Sequence, residues 1–167
     1  MRHAGRSFAL VLLTVAAAGA CLSHATLLVP MDIEQMTDRA GWIGLGTCTE
    51  KRSYWQGKQI WTDLSFRPER ALKGEGGGEI RIRQLGGRVE KPVPLVMGVA
   101  GAPEFEVGET SLLFLERSPD GTHRVVGLSQ GRIPLRRGAS GEWLAGDGAR
   151  LEALVSRIEA RLKATGR

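Results

Sequence analysis

Between residues 42 and 144 the apolar side chains recur at every second position in short runs, and turn signals separate the runs. That pattern constrains the fold most, because a period of two belongs to strands with one face buried. Ile60, Thr62, Leu64 and Phe66 alternate with Trp61, Asp63, Ser65 and Arg67. Ile80 and Ile82 alternate with Arg81 and Arg83. Many short strands separated by turns suggest an antiparallel barrel or sandwich. A small OB-like barrel fits the length and the strand count.

The runs predict strands at 42–49, 60–67, 80–83, 92–98, 111–115, 124–127, 132–136 and 142–144. Residues 51–58 read as a polar loop containing Tyr54 and Trp55, and Pro68 as a strand end or an edge. The 74–78 stretch, Gly-Glu-Gly-Gly-Gly, reads as a flexible turn, and Gly86-Gly87 as a break. In Ser118-Pro119-Asp120-Gly121, Pro presets φ and Gly accepts positive φ. The run Ser-Leu-Leu-Phe-Leu at 111–115 is the most hydrophobic beyond the N-terminus and marks a central strand.

Two segments carry the helical period instead. Residues 32–40 predict a short N-terminal helix, with Asp32 and Gln35 placed for a capping box. Residues 148–164 predict an amphipathic C-terminal helix. Asp147 is its expected cap, and Leu151, Leu154, Val155, Ile158 and Leu162 form its apolar stripe.

The N-terminus reads as a secretory signal. Arg2 and Arg6 precede the apolar run at 8–19, and Ser23-His24-Ala25 has small side chains where a signal peptidase reads them. A basic start, roughly 7–15 apolar residues and a small-x-small end define such a signal. Cleavage between Ala25 and Thr26 is expected, leaving residues 26–167 as one exported domain, periplasmic or secreted. Ala18-Gly19-Ala20-Cys21 offers an alternative, a weak lipobox in which Cys21 is lipidated and tethers the protein to the envelope. The apolar run falls short of the ~20 residues of a membrane-spanning helix.

Two cysteines are present, and cleavage after Ala25 removes Cys21. Cys48 then has no disulfide partner and reads as a small buried hydrophobe. Of 23 Lys and Arg against 18 Asp and Glu, the excess is spread along the chain. Nucleic-acid binders cluster their basic residues with aromatics, so no nucleic-acid partner is expected.

Catalytic motifs are weak. Gly127-Leu128-Ser129-Gln130-Gly131 matches the G-x-S-x-G elbow of α/β-hydrolases. That elbow needs a helix after the serine, and Pro134 follows instead. A small hydrolase using Ser129 and His123 is one alternative function, and a binder of anionic polymer is another. Residues 74–78 lack the Lys-Ser/Thr ending of a phosphate loop. Glu104, Glu106 and Glu109 are the densest carboxylates. One His and one Cys beyond the signal cannot build a four-ligand zinc site unaided. No cofactor is expected.

The expected function is a non-enzymatic module binding a protein. Its candidate surface is the segment with Tyr54 and Trp55 together with Glu104, Glu106 and Glu109. Trp61, out of phase with Ile60 and Leu64, is expected in a second layer beneath the C-terminal helix.

Trp61-Thr62, Leu72-Lys73-Gly74, Gly86-Gly87, Pro103-Glu104-Phe105-Glu106-Val107-Gly108-Glu109, Leu113-Phe114-Leu115, Val125-Val126-Gly127 and Gln130-Gly131 occur in that order. The pattern resembles a group of uncharacterised exported bacterial proteins. Their layout is similar to the netrin-like barrel of tissue inhibitors of metalloproteases. Members are often met beside matrixin-type metalloprotease genes. The resemblance implies a netrin-like barrel and a metalloprotease partner. The inhibitors present a disulfide-bonded N-terminal Cys to the protease zinc, and a chain starting at Thr26 has none, so that mechanism does not transfer.

Overall fold

The computed structural model describes residues 29–166. The residues read as a signal, with Cys21 and the expected Ala25–Thr26 junction, lie outside the described residues. The elements run α1 (Ile33–Arg39), β1 (Trp42–Gln56), β2 (Gln59–Lys73), β3 (Ile80–Leu85), β4 (Gly87–Val89), β5 (Leu95–Met97), β6 (Thr110–Arg117), β7 (His123–Val125), β8 (Arg132–Arg137), β9 (Trp143–Ala145) and α2 (Leu151–Thr165). Among the described residues the fold is mainly β, with one seven-stranded sheet, one two-stranded sheet and two helices.

The large sheet is ordered β1-β2-β3-β7-β6-β8-β9, and β1 also pairs with β6. Both edges of β1 are therefore taken over Ile43–Thr47, by β2 on one side and β6 on the other. The β3–β7 contact is parallel and the other pairings are antiparallel.

Strand β6 explains its own sequence. Leu112 and Phe114 join one buried cluster with Ile43, Leu45, Met36, Val155 and Ile158. Leu113 and Leu115 join a second with Leu64, Phe66, Ile82 and Phe105. Both faces of the strand are covered, so its apolar residues are continuous rather than alternating. The helices α1 and α2 close the first cluster.

The capping box at Asp32 forms as expected. Its carboxylate accepts from the Gln35 N–H at 2.7 Å, and the Gln35 side chain accepts from the Asp32 N–H at 3.0 Å. Cys48 is buried on β1, and burial pushes its thiol pKa up.

Four expectations need correction. Residues 51–58 are not a loop: β1 continues to Gln56 and returns through Gly57-Lys58, with Gln56 opposite Gln59. Gly57, at φ +62°, takes the positive φ that such a two-residue hairpin requires. The residues look polar because this end of the hairpin carries water-facing or hydroxyl side chains on both faces. Pro68 does not end β2, which runs on to Lys73. It sits opposite Gly46, beside a register shift, where a missing N–H is tolerated.

Asp147 does not cap the C-terminal helix. Its carboxylate accepts from the Ala149 N–H at 2.9 Å in a turn, and the helix starts at Leu151 behind Arg150. Trp61 does not lie beneath that helix. It stands opposite Leu85 of β3, at the margin of a groove.

Candidate functional site

Gly86 and Gly87 build the site. Both have positive φ, 95° and 140°. A Cβ on Gly87 would overlap the Thr62 hydroxyl and stand 2.6 Å from that of Ser53. Only glycine lets β4 cross this closely over the β1–β2 hairpin. The doublet is a close-approach device, where sequence alone suggested a strand break.

Beneath it the inward faces of the strands turn polar. Ser53 and Thr62, paired across β1 and β2, join hydroxyls at 2.8 Å, and Thr62 donates to the Gly86 carbonyl at 2.6 Å. Gln84 donates its amide to the Pro103 carbonyl at 3.2 Å, and its Oε1 is buried without a partner. Lys51 reaches across to the Phe105 carbonyl at 2.7 Å and to Glu106 at 3.3 Å. These groups line an open cleft of about 580 Å³, closed on its other sides by Arg88, Val96, Met97 and the segment bearing Glu104 and Glu106. Val96 is 66% exposed. A concave surface combining apolar walls with convergent polar groups is the usual form of a binding site.

Phe105 holds the acidic segment in place. It is buried against Phe66 with ring centroids 5.2 Å apart at 74°, an edge-to-face contact. The Arg132 guanidinium lies 4.9 Å from the Phe105 ring centroid and pairs with Glu109. Glu104 and Glu106 therefore flank an anchored ring and line the cleft. Glu109 turns inward to Arg132 and does not line it, which removes it from the candidate surface as a free carboxylate.

Tyr54 and Trp55 do not form one patch. They alternate on a strand, so they point to opposite faces. Tyr54 donates its hydroxyl to Asp63 at 3.2–3.3 Å. Asp63 accepts from Arg83 at 2.8 and 3.3 Å, and Arg83 reaches Asp120 at 3.2 Å. Desolvation and the Asp63 charge raise the Tyr54 pKa, and the bond to Asp63 raises that of Arg83. Thr122, bonding through hydroxyl and backbone, lowers the Asp120 pKa. Trp55, opposite Ile60, is 39% exposed at the hairpin tip. Neither aromatic lines the cleft.

The serine of G-x-S-x-G is differently placed from a nucleophile. The residues with positive φ are Gly127 and Leu128, both at 60°, and β8 follows instead of a helix. In a nucleophile elbow the strained residue is the serine itself, and a helix follows it. His123 approaches the Arg81 carbonyl at 3.3 Å, and no hydrogen bond joins it to Ser129 among the described residues. Gly131 is buried, and a Cβ there would meet the Val126 carbonyl at 2.7 Å. Gln130 has a job of its own: its carboxamide accepts from the Met31 N–H at 2.7 Å and donates to the Val29 carbonyl at 3.0 Å.

Among the described residues no three His, Cys, Asp or Glu side chains gather where a metal could sit. No described helix is long and apolar enough to cross a membrane.

Lys51, Ser53, Thr62 and Gln84 escape sequence reasoning. Their only signal is polar residues at inward positions of strands whose other inward residues are apolar. Compared with known proteins, the chain matches no protein-family model and no curated protein.

Proposed function

We propose that the chain is a non-enzymatic binding module acting outside the cytoplasm, and that it holds a protein partner at the cleft beneath β4 and β5. The observation that carries this reading is the cleft itself. It combines a polar floor of Ser53, Thr62 and Gln84, an acidic lip of Glu104 and Glu106, and an exposed Val96 on the rim. Concave sites place a few convergent polar groups among apolar walls, and these fix the orientation and specificity of what binds.

The strand pairings support a closed, OB-like barrel as the scaffold. They run from β1 through β2, β3, β7 and β6 and return to β1. The same layout suits the netrin-like resemblance, from which the partner class, a metalloprotease, is taken. Fold alone does not assign function, so the partner is a matter for experiment.

The test is capture from the native envelope fraction, with the wild-type chain and a Glu104→Lys/Glu106→Lys variant as baits. A partner retained by the wild type and lost from the variant supports the reading. A partner retained equally by both moves the interface elsewhere, and Trp55→Ala at the hairpin tip is the next variant. Hydrolysis of an ester substrate that depends on Ser129 would overturn the non-enzymatic reading.

A further inference from the structure

A second groove has a different origin. Strands β3 and β7 pair at one position, Ile82 opposite His123. Beyond it β3 continues to Leu85, while Arg124 and Val125 stay paired with Glu116 and Leu115 of β6. The strands part, and a groove of about 240 Å³ opens between them. Its walls are mainly apolar: Trp61, Leu85, Val99, Pro103, Val125 and Leu128.

The charged and polar groups on the lining narrow what fits there. Arg83 and Arg124 are its charged side chains. Arg83 pairs with Asp63 at 2.8 Å and with Asp120 at 3.2 Å, and Arg124 pairs with Glu116 at 3.0 Å. Both cations are already matched, so a charged ligand would lose its hydration against apolar walls and gain no partner. Gln84 also lines the groove. Its amide nitrogen donates to the Pro103 carbonyl at 3.2 Å. A carbonyl only accepts, which fixes the end of the carboxamide that carries the oxygen. That oxygen, Oε1, is buried without a partner. A buried acceptor is costly to leave unsatisfied, so a ligand that brings a donor gains more than apolar contact. Size sets the last bound. An apolar cavity of about 150 Å³ holds a benzene ring, and about 240 Å³ has room for two fused rings.

We propose that the groove between β3 and β7 binds a free, uncharged aromatic molecule of one or two rings that carries one N–H or O–H donor. The ring meets the apolar walls, where Trp61 supplies an aromatic neighbour, and the donor meets Gln84 Oε1. The site stands on the groove alone and not on the function proposed for the cleft, with which it shares Gln84.

Titration of the full chain with indole, followed by NMR, tests it. Indole should shift the methyl signals of Val99, Val125 and Leu128 and the side-chain amide of Gln84, and the shifts should saturate. The control probe, 1-methylindole, keeps the rings and lacks the donor, and it should bind about fivefold more weakly. In Gln84→Met the acceptor is gone, and the two probes should bind within about twofold of each other. The amides of residues 112–115 report whether that variant is folded, and if it is not, the wild-type ratio decides. Equal affinities for the two probes in the wild type, or no saturable shift with indole up to millimolar concentration, would overturn the proposal. Shifts confined to Ser53, Thr62 and Met97 would place the ligand in the cleft and overturn it too. Binding of N-acetyltryptophanamide without binding of indole would assign the groove to a side chain of a protein partner instead. Shifts at the groove that grow with protein concentration in the absence of any probe would assign it to a second copy of the chain.

Discussion

Gly87 lies so close over Thr62 that a single methyl group on it would occupy the space of the Thr62 hydroxyl. The site therefore depends on the absence of a side chain. Gly87→Ala adds that methyl at φ 140°, where L-residues are strained, and against a bonded pair of hydroxyls. Strain of this kind costs about 1–3 kcal/mol, and overpacking adds about 1–3 kcal/mol. Thermal or urea denaturation should show Gly87→Ala destabilised by several kcal/mol, and the variant should lose partner capture. A Gly77→Ala control, with nothing within 4 Å of its Cβ and no positive φ, should match the wild type. Equal stability of all three proteins would contradict the close approach.

Acid should loosen the helix pair. Arg157 of α2 donates to Glu34 of α1 through two nitrogens at 2.8–3.0 Å, across 123 positions of sequence. The bond to Arg157 holds the Glu34 pKa below its ordinary 4.5. A carboxylate with a depressed folded pKa stabilises the fold above its unfolded pKa, and that contribution is lost as pH falls through the folded value. Both side chains are substantially exposed, so the effect is small. Between about pH 5 and pH 3, wild-type Tm should fall about 1–2 °C further than that of Glu34→Gln. The pair of melting curves at each pH checks this. Parallel pH profiles would mean that the bond is not maintained in solution.

Ser129→Ala should leave folding and any binding unchanged. The serine's backbone N–H bonds the Gly101 carbonyl at 2.9 Å, and alanine keeps that bond. Gly131→Ala, two residues on, should behave oppositely. Its Cβ would meet the Val126 and Phe114 carbonyls at 2.7 and 2.9 Å, both held in β6 and the turn beside it. Denaturation should place it about 2 kcal/mol or more below the wild type. The expected contrast is a structural glycine beside a serine whose hydroxyl can be removed. An activity lost with Ser129→Ala in a folded protein would reverse that assignment.

Periodicity makes most strands and both helices readable, because Ile60, Leu64, Phe66 and Ile82 alternate with residues that face water or half-burial. It misses the far end of β1, where Ser53 faces inward and still bonds Thr62, so that inward does not mean apolar there. Pro68 misleads because a register shift absorbs its missing donor. Asp147 misleads because an Asp-Gly turn and a helix start share the same residues, and the turn forms. The site is half readable. Glu104 and Glu106 are found by their charge density, whereas Lys51 and Gln84 reach the cleft only through pairings remote in sequence. Tyr54 and Trp55 are correctly singled out as aromatics, but the alternation of an unrecognised strand separates them.

The acidic lip of the cleft should fail first when its anchor is cut. Arg132 is 15% exposed and pairs with Glu109, which is 26% exposed, while its guanidinium covers the Phe105 ring. Replacing Arg132 with Met keeps an unbranched apolar stem near the ring and removes the charge. Glu109 is then left partly buried beside no cation, a situation that costs about 3 kcal/mol in buried pairs. Denaturation of Arg132→Met should show a loss of that order. Adding Glu109→Gln should restore much of it, since the orphaned carboxylate is gone and its backbone contacts remain. The double-mutant cycle isolates the pair from the ring contact. Hydrogen exchange separates the functional consequence from global stability. In the single variant the amides of residues 104–109 should open faster while those of 112–115 keep their protection. If the double variant is no more stable than Arg132→Met, the ring contact rather than the ion pair holds the segment. The cleft should then follow the fate of Phe105, with Phe105→Leu loosening the Glu104 and Glu106 lip even when the charges are intact.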